Sequence, residues 1–230
     1  MNLKDIINTN IHYIGEILVV VFGVLIAFFI TNINEESKRR KRIKQILEIV
    51  KLNFITDINN IEKEITQINE MEQNITKILD PNINNESLND DIKISSLVFL
   101  YNQPTIEIQK EGYYLLKDAD FNYDTKKNKI VSEIITLYSF HISNIERQRD
   151  RVIRIAEKNT FDHMQDPWLS RSFNTVEGKD KMLNYLNDSI NSDSFINEID
   201  YMAHWIFGNY KRTLEDYKAT ISKILERIKQ

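Results

Sequence analysis

Cysteine is absent from this chain, and its 230 residues include only 5 glycines and 3 prolines. Without cysteine there are no disulfides, thiolate metal sites or cysteine nucleophiles. Five scattered glycines supply neither G-x-G-x-x-G nor G-x-x-x-x-G-K, which excludes the glycine-rich phosphate cradles. So few turn formers also argue against a many-stranded barrel or sandwich, which needs them at short, regular intervals. A net charge of −4 provides no overall cationic field for nucleic acid. What is present is 42% hydrophobic and 28% charged residues. The first figure excludes wholesale disorder and the second a polytopic membrane protein.

The apolar residues are most concentrated at Ile11 to Ile30, IHYIGEILVVVFGVLIAFFI, where Glu16 is the only formal charge. A helix of about 20 such residues covers the roughly 30 Å hydrocarbon core of a bilayer. A cleaved signal peptide would have a basic start, a shorter apolar stretch and a small-residue cleavage site. This chain has Lys4 and Asp5 before the segment and Thr31-Asn32-Ile33-Asn34-Glu35-Glu36 after it. A soluble core helix keeps a polar face, and this one has none. The expectation is an uncleaved membrane anchor.

Orientation follows from charge. Lys38, Arg39, Arg40, Lys41, Arg42 and Lys44 put six cations into seven positions after the span, against Lys4 before it. The positive-inside rule then places the C-terminal part in the cytoplasm and the N-terminus outside, in a bacterial inner membrane. The same cations suit anionic lipid headgroups, at roughly 1 kcal/mol each. No aromatic is interleaved with them for base stacking, so no nucleic acid partner is expected.

Within the span Gly15, Val19, Gly23, Ala27 and Thr31 recur every fourth residue. Small side chains in such a row let two membrane helices approach closely. Glu16 lies beside the row, and an intramembrane carboxylate faces a partner helix, water or the headgroups. Gly15, Glu16, Gly23 and Ala27 are therefore the expected packing or polar interface of a homo-oligomer.

Beyond the span no Pro or Gly occurs between Gly23 and Pro81, while Leu47, Val50, Phe54, Ile58, Ile61, Ile65, Ile68, Ile75 and Leu79 keep helical spacing. This predicts one helix from the membrane, through the basic collar (31–79), to about Leu79. Residues 80–91, DPNINNESLNDD, read as a loop, with short helical pieces around 92–101 and 104–118. A second long helix is expected over 124–166, capped by Asp124 or Thr125 and ended by Asp166-Pro167. It carries Ile130, Ile134, Leu137, Ile145, Val152 and Ile155 on its apolar face, with Arg147, Arg149, Arg151 and Arg154 towards solvent. Residues 167–230 hold a short helix and then a long one, in which Ile196, Ile199, Ala203, Ile206, Tyr210, Leu214, Tyr217, Ile221, Ile224 and Ile228 alternate steps of three and four. One extra four between Ile206 and Leu214 makes a stutter in a coiled-coil-like seam. The fold class expected is all-α: a transmembrane helix (11–30) after a short outer N-terminus (1–10), continuing into an elongated cytoplasmic bundle.

Catalytic constellations are missing. There is no E-x-x-H, H-E-x-x-H or G-x-S-x-G. His12, His141, His163 and His204 are scattered, and Arg154 and His163 are too far apart for the arginine–histidine pair of helical ribonucleases. His141 falls on an apolar face as a core residue, and Asp162-His163-x-x-Asp166 is compatible with a metal but common by chance. No cofactor, metal or catalytic residue is expected.

Residues 15–36, GEILVVVFGVLIAFFITNINEE, resemble the opening of an uncharacterised family of bacterial single-pass membrane proteins, frequent in Bacteroidota. That opening runs roughly G-E-I-x-L-V-x-x-G-x-L-I-A-L-x-I-N-N-W-N-E-E. Gly15, Glu16, Ile17, Val19, Val20, Gly23, Leu25, Ile26, Ala27, Ile30, Asn32, Asn34, Glu35 and Glu36 match or nearly match it, while Ile33 replaces its tryptophan and Phe28 its leucine. Weaker echoes lie at Thr105–Leu116 and Lys129–Tyr138. The resemblance implies membrane topology and a helical domain, and supplies no catalytic residue.

The functional expectation is a non-enzymatic, homo-oligomeric scaffold or channel-like effector whose one named partner is the lipid bilayer. The rivals are a membrane-tethered sensor or docking module of a multi-protein system, such as antiviral defence or envelope machinery, and a divergent helical nuclease using His141 or His163.

Overall fold

The computed structural model describes the backbone of residues 3–119, 126–163 and 176–228, with side chains at 19–119, 129–161 and 180–228. The fold is all-α, with no strand among the described residues. Helix α1 (Leu3–Leu79) is followed by α2 (Asp90–Leu100), α3 (Glu111–Lys117), α4 (Lys126–Leu137), α5 (Ser143–His163), α6 (Val176–Ser189), α7 (Asp193–Ala203) and α8 (Lys211–Ile228). A π-helical turn at Tyr138–Ile142 joins α4 to α5, and another at His204–Tyr210 joins α7 to α8. The chain divides into two compact units, Met1–Glu48 and Ile49–Gln230.

Local chemistry accounts for the ends. Helix α1 stops at Leu79, just before Pro81, which cannot donate to a continuing helix. Asn89 caps α2 by accepting from the Ile92 amide at 2.9 Å, with Asp90 and Asp91 favoured in its positive first turn. Ser192 caps α7 through the Phe195 amide at 3.3 Å. The expected cap of α4 at Asp124 or Thr125 and the stop at Asp166-Pro167 lie outside the described residues.

In the first unit the side chains from Val19 to Ile33 are exposed on every face of α1, Val19 by 72% and Phe28 by 76%. This is the one described helix long and apolar enough to cross a membrane. The second unit builds its own core from Val50, Phe54, Ile61, Ile68 and Ile75 of α1, Leu97 and Phe99 of α2, Ile134 to Ala156 of α4–α5, and the seam from Ile199 to Leu225.

The stutter and the π-turn of the last helices coincide. Two successive steps of four, Ile206 to Tyr210 to Leu214, would carry an α-helical stripe off its face, because each overshoots a turn of 3.6 residues. The wider turn at His204–Tyr210 absorbs the excess, and Ile206, Tyr210 and Leu214 are all buried. The same geometry spans Leu137 and Ile145. There it corrects one expectation: the π-turn brings Tyr138 and Ile142 into the core and leaves His141 half-buried.

Two further expectations are corrected. Residues 102–110 are not helical. Pro104 disfavours a helix before it, and the segment's backbone donors are taken by another helix instead. On α1 the buried face is rotated from the all-apolar stripe. Leu47, Ile58, Ile65 and Leu79 are half-buried, while Asn53, Asp57 and Glu64 lie in the core.

Candidate functional site

Three polar side chains on one side of α1 face residues 102–112, a strap made of the irregular segment 102–110 and the first turn of α3. Asn53 Oδ1 accepts from the Gly112 amide at 2.9 Å, and Asp57 Oδ1 accepts from the Gln109 amide at 2.9 Å. Glu64 lies opposite Thr105, whose amide and hydroxyl are close enough to act on its carboxyl. Because 53, 57 and 64 pair with 112, 109 and 105, the strap runs antiparallel to α1. Buried amides outside a helix or sheet need such partners, and here side chains one to two turns apart provide them. Gly112 is required by the closeness of the approach: a Cβ there would lie 2.6 Å from Val50 Cγ2 and 3.0 Å from Val50 Cα.

Asp57 is the centre of this seam, with none of its surface exposed. Its second oxygen accepts the Tyr217 hydroxyl at 2.9 Å, and Tyr138 Oη donates to the Gln109 carbonyl at 3.0 Å. The Tyr138 ring lies between Phe54, 5.8 Å away, and Tyr113, 5.0 Å away. Burial raises the Asp57 carboxyl from 3.8 to about 6, opposed only in part by the bonds from Gln109 and Tyr217. Burial likewise raises Tyr138 and Tyr217, and the Asp57 charge adds to both. All three groups are therefore held in their neutral forms more readily than in water.

A second, looser cluster surrounds Glu64. Burial raises its carboxyl, and the bonds from Thr105 and the neighbouring Tyr210 hydroxyl oppose this. The Tyr210 hydroxyl lies close enough to act on Glu64, but is buried without a hydrogen bond of good geometry. Arg149 corrects the expectation of a solvent position. It is only partly exposed, its Nε is buried without a partner, and its charge acts on Tyr210. Arg151 does lie outside, with its guanidinium 4.2 Å over the Trp205 ring and a 3.3 Å bond to Tyr201 Oη.

Sequence reasoning missed Asn53, Asp57, Glu64, Gly112, Tyr138 and Tyr217 as a set. The signal available was polar residues at helical spacing inside an apolar stripe, together with the lone Gly112 after Pro104.

The residues expected from sequence are distributed differently. Gly15 and Glu16 lie on the α1 backbone, but their side chains are outside the described residues, as are those of His12, Asp162, His163 and Asp166. Gly23 has open space around it, since an added Cβ would meet nothing within 4 Å. Ala27 is exposed, and its carbonyl accepts the Thr31 hydroxyl at 2.8 Å. Lys38, Arg40, Lys41, Arg42 and Lys44 are exposed and Arg39 partly so, with Arg40 paired to Glu36. His141 sits 6.3 Å from the Tyr217 ring and His204 is exposed. Among the described residues no group of three or more metal-ligating side chains is assembled. An open depression lined by Asn69, Glu72, Gln73, Thr76, Lys77, Asp80 and Ile83 gathers polar side chains without burying any of them.

Compared with known proteins, the chain matches no family model, no curated protein and no solved structure.

Proposed function

We propose that the protein is a single-pass membrane protein with no catalytic activity. Its helical domain stands on the cytoplasmic side of a bacterial inner membrane, and it works as a homo-oligomeric scaffold or channel-like effector. The observation that carries this reading is the exposure of Val19 to Ile33 on all sides of an uninterrupted helix, apolar surface that water penalises and hydrocarbon accepts. The six cations from Lys38 to Lys44 support the orientation. The resemblance of residues 15–36 to single-pass proteins supports the same placement. The recurrence of Gly15, Gly23 and Ala27 at steps of four and eight supports self-association, because small side chains let two membrane helices approach closely.

Two measurements test the proposal. A reporter fused after Gln230 should be active only if it works in the cytoplasm, and a periplasmically active phosphatase there overturns the orientation. Light scattering on the detergent-solubilised chain should give a multiple of 27.3 kDa after correction for detergent. A monomer at every concentration removes the oligomer.

A passive tether is the second reading, favoured by the separate core of Ile49–Gln230. Exchanging residues 1–34 for an unrelated anchor separates the two. Retained biological activity supports the tether, and lost activity supports an assembling span.

A further inference from the structure

The seam between α1 and the strap has a property that neither membrane placement nor self-association explains. Two carboxylates, Asp57 and Glu64, are buried on the same face of α1, and both hold backbone of the same non-helical segment. Among the described residues no cation is paired with Asp57. The groups facing it are neutral ones: the Tyr217 hydroxyl from α8, the Gln109 amide from the strap, and Tyr138 in the π-turn, whose ring lies beside Phe54. The nearby cations are engaged elsewhere, Lys110 with Glu146 and Lys218 with Glu62. His141 lies against Tyr217, at 6.3 Å between rings. A buried carboxylate without a counter-charge is costly when ionised and inexpensive when protonated.

The strap is also the part of this unit best suited to move separately. Residues 103–109 make no helical hydrogen bonds, and Lys110 accepts only the first bond of α3, from the Tyr114 amide at 3.1 Å, so lifting the strap breaks mostly side-chain contacts and leaves α2 and the body of α3 intact. Among the described residues its attachment comprises the captures at Asn53 and Asp57, the approach of Thr105 to Glu64, the Tyr138 bond, the Lys110–Glu146 ion pair, and the burial of Pro104, Ile106 and Gly112.

We propose that residues 102–112 form a latch on α1 whose opening is controlled by the ionisation of Asp57. The latch is closed while the carboxyl carries its proton and loosens when the proton leaves. The reason is solvation: opening returns the carboxylate to water, where its charge is stabilised, whereas the closed seam offers it two hydrogen bonds and no cation. A chain near the cytoplasmic pH thus has a loosened strap, and local acidification tightens it. Glu64 contributes in the same direction through Thr105. Opening bares the polar face of α1 from Asn53 to Glu64 together with the backbone donors of the strap.

Hydrogen exchange on the full chain in detergent or nanodiscs tests this. Protection is corrected for the intrinsic pH dependence of exchange and read on peptides covering 102–112. With Asp57 at about 6 when closed and 3.8 when free, the opening constant should rise about tenfold between pH 5 and pH 7.5. Peptides from α2 and from α8 should stay better protected than the strap at every pH, because they exchange through a larger opening. Asp57→Asn should reduce the dependence of the strap to about twofold or less, the remainder belonging to Glu64. Should that variant fold poorly, Tyr217→Phe serves instead. It removes a donor to the ionised form, so the midpoint should move to higher pH. A strap whose protection is independent of pH overturns the latch, as does an undiminished dependence in Asp57→Asn or an unmoved midpoint in Tyr217→Phe. Strap protection equal to that of α2 and α8 at every pH also overturns it, because the event would then be global unfolding.

Discussion

Tyr217 donates its hydroxyl to Asp57 across 2.9 Å, joining the last helix to the first over 160 positions of sequence. The Asp57 carboxyl stands on α1 (Leu3–Leu79), and the Tyr217 hydroxyl belongs to the apolar seam that ends in α8. The bond lies within the second unit and is buried at both ends.

The first prediction is a pH profile of stability. Asp57 binds its proton more tightly in the folded chain, at about 6 against 3.8 unfolded, so the folded state holds the extra proton between those values. Stability from this group is fully present below pH 3.8, falls as pH rises to about 6, and is level above it. The span of about 2 units corresponds to at most about 3 kcal/mol. Denaturation of the full chain in detergent should therefore show greater stability at pH 5 than at pH 7.5. Asp57→Asn should flatten that difference and match or exceed the parent at pH 7.5, whereas Asp57→Ala should lose about 1–3 kcal/mol by orphaning the Gln109 amide and the Tyr217 hydroxyl.

Gly112→Ala concerns the same seam from the opposite side. Its Cβ would meet Val50 Cγ2 at 2.6 Å and Val50 Cα at 3.0 Å, the second being backbone that cannot swing away. A loss of about 1–3 kcal/mol is expected in urea titration. Val50→Ala in the same chain should restore only part of it, since the clash with Cα remains. Full recovery would show that the backbone approach is not what requires glycine.

Gly208 should behave in the opposite way. Its Cβ would find only His204 Nδ1 at 3.9 Å, an ordinary contact, and its φ is not positive. Gly208→Ala should be neutral or stabilising by up to about 1 kcal/mol, as for any glycine inside a helix. Deleting Gly208 instead removes the excess residue, so the steps from Ile206 to Leu214 become three and four. The turn should revert to α-helix with Leu214 onward still on the core face, and cooperative unfolding should be retained. A deletion that rotates the seam off the core and abolishes cooperative unfolding would sink the link between stutter and π-turn.

Within the span, Gly23→Ile adds a branched side chain where close helix approach is proposed. The oligomer seen by light scattering should dissociate while the helical content of the second unit is unchanged. Glu16→Leu removes an insertion cost of a few kcal/mol, so insertion should be retained. If Glu16 faces an interface or water, assembly or function should nevertheless change. Silence of both variants would replace the scaffold with the passive tether.

Several elements can be traced to particular residues. Apolar spacing and the absence of breakers between Gly23 and Pro81 determined a single long helix, because both are local properties of consecutive side chains. The seam from Ile199 to Ile224 was equally legible, including the position of its irregularity at Ile206–Leu214. The set Asn53, Asp57, Glu64 and Gly112 was not. Each is an ordinary residue in its own neighbourhood, and a rule that sorts polar side chains to the surface rotates the stripe of α1 away from them. Their burial depends on the strap, which lies about 40 to 60 residues downstream, and on Tyr217, at 160. Periodicity reports which face of a helix prefers to be covered. It carries no information about which distant backbone arrives there with unpaired amides, and satisfying those amides is what decided that two carboxylates belong inside.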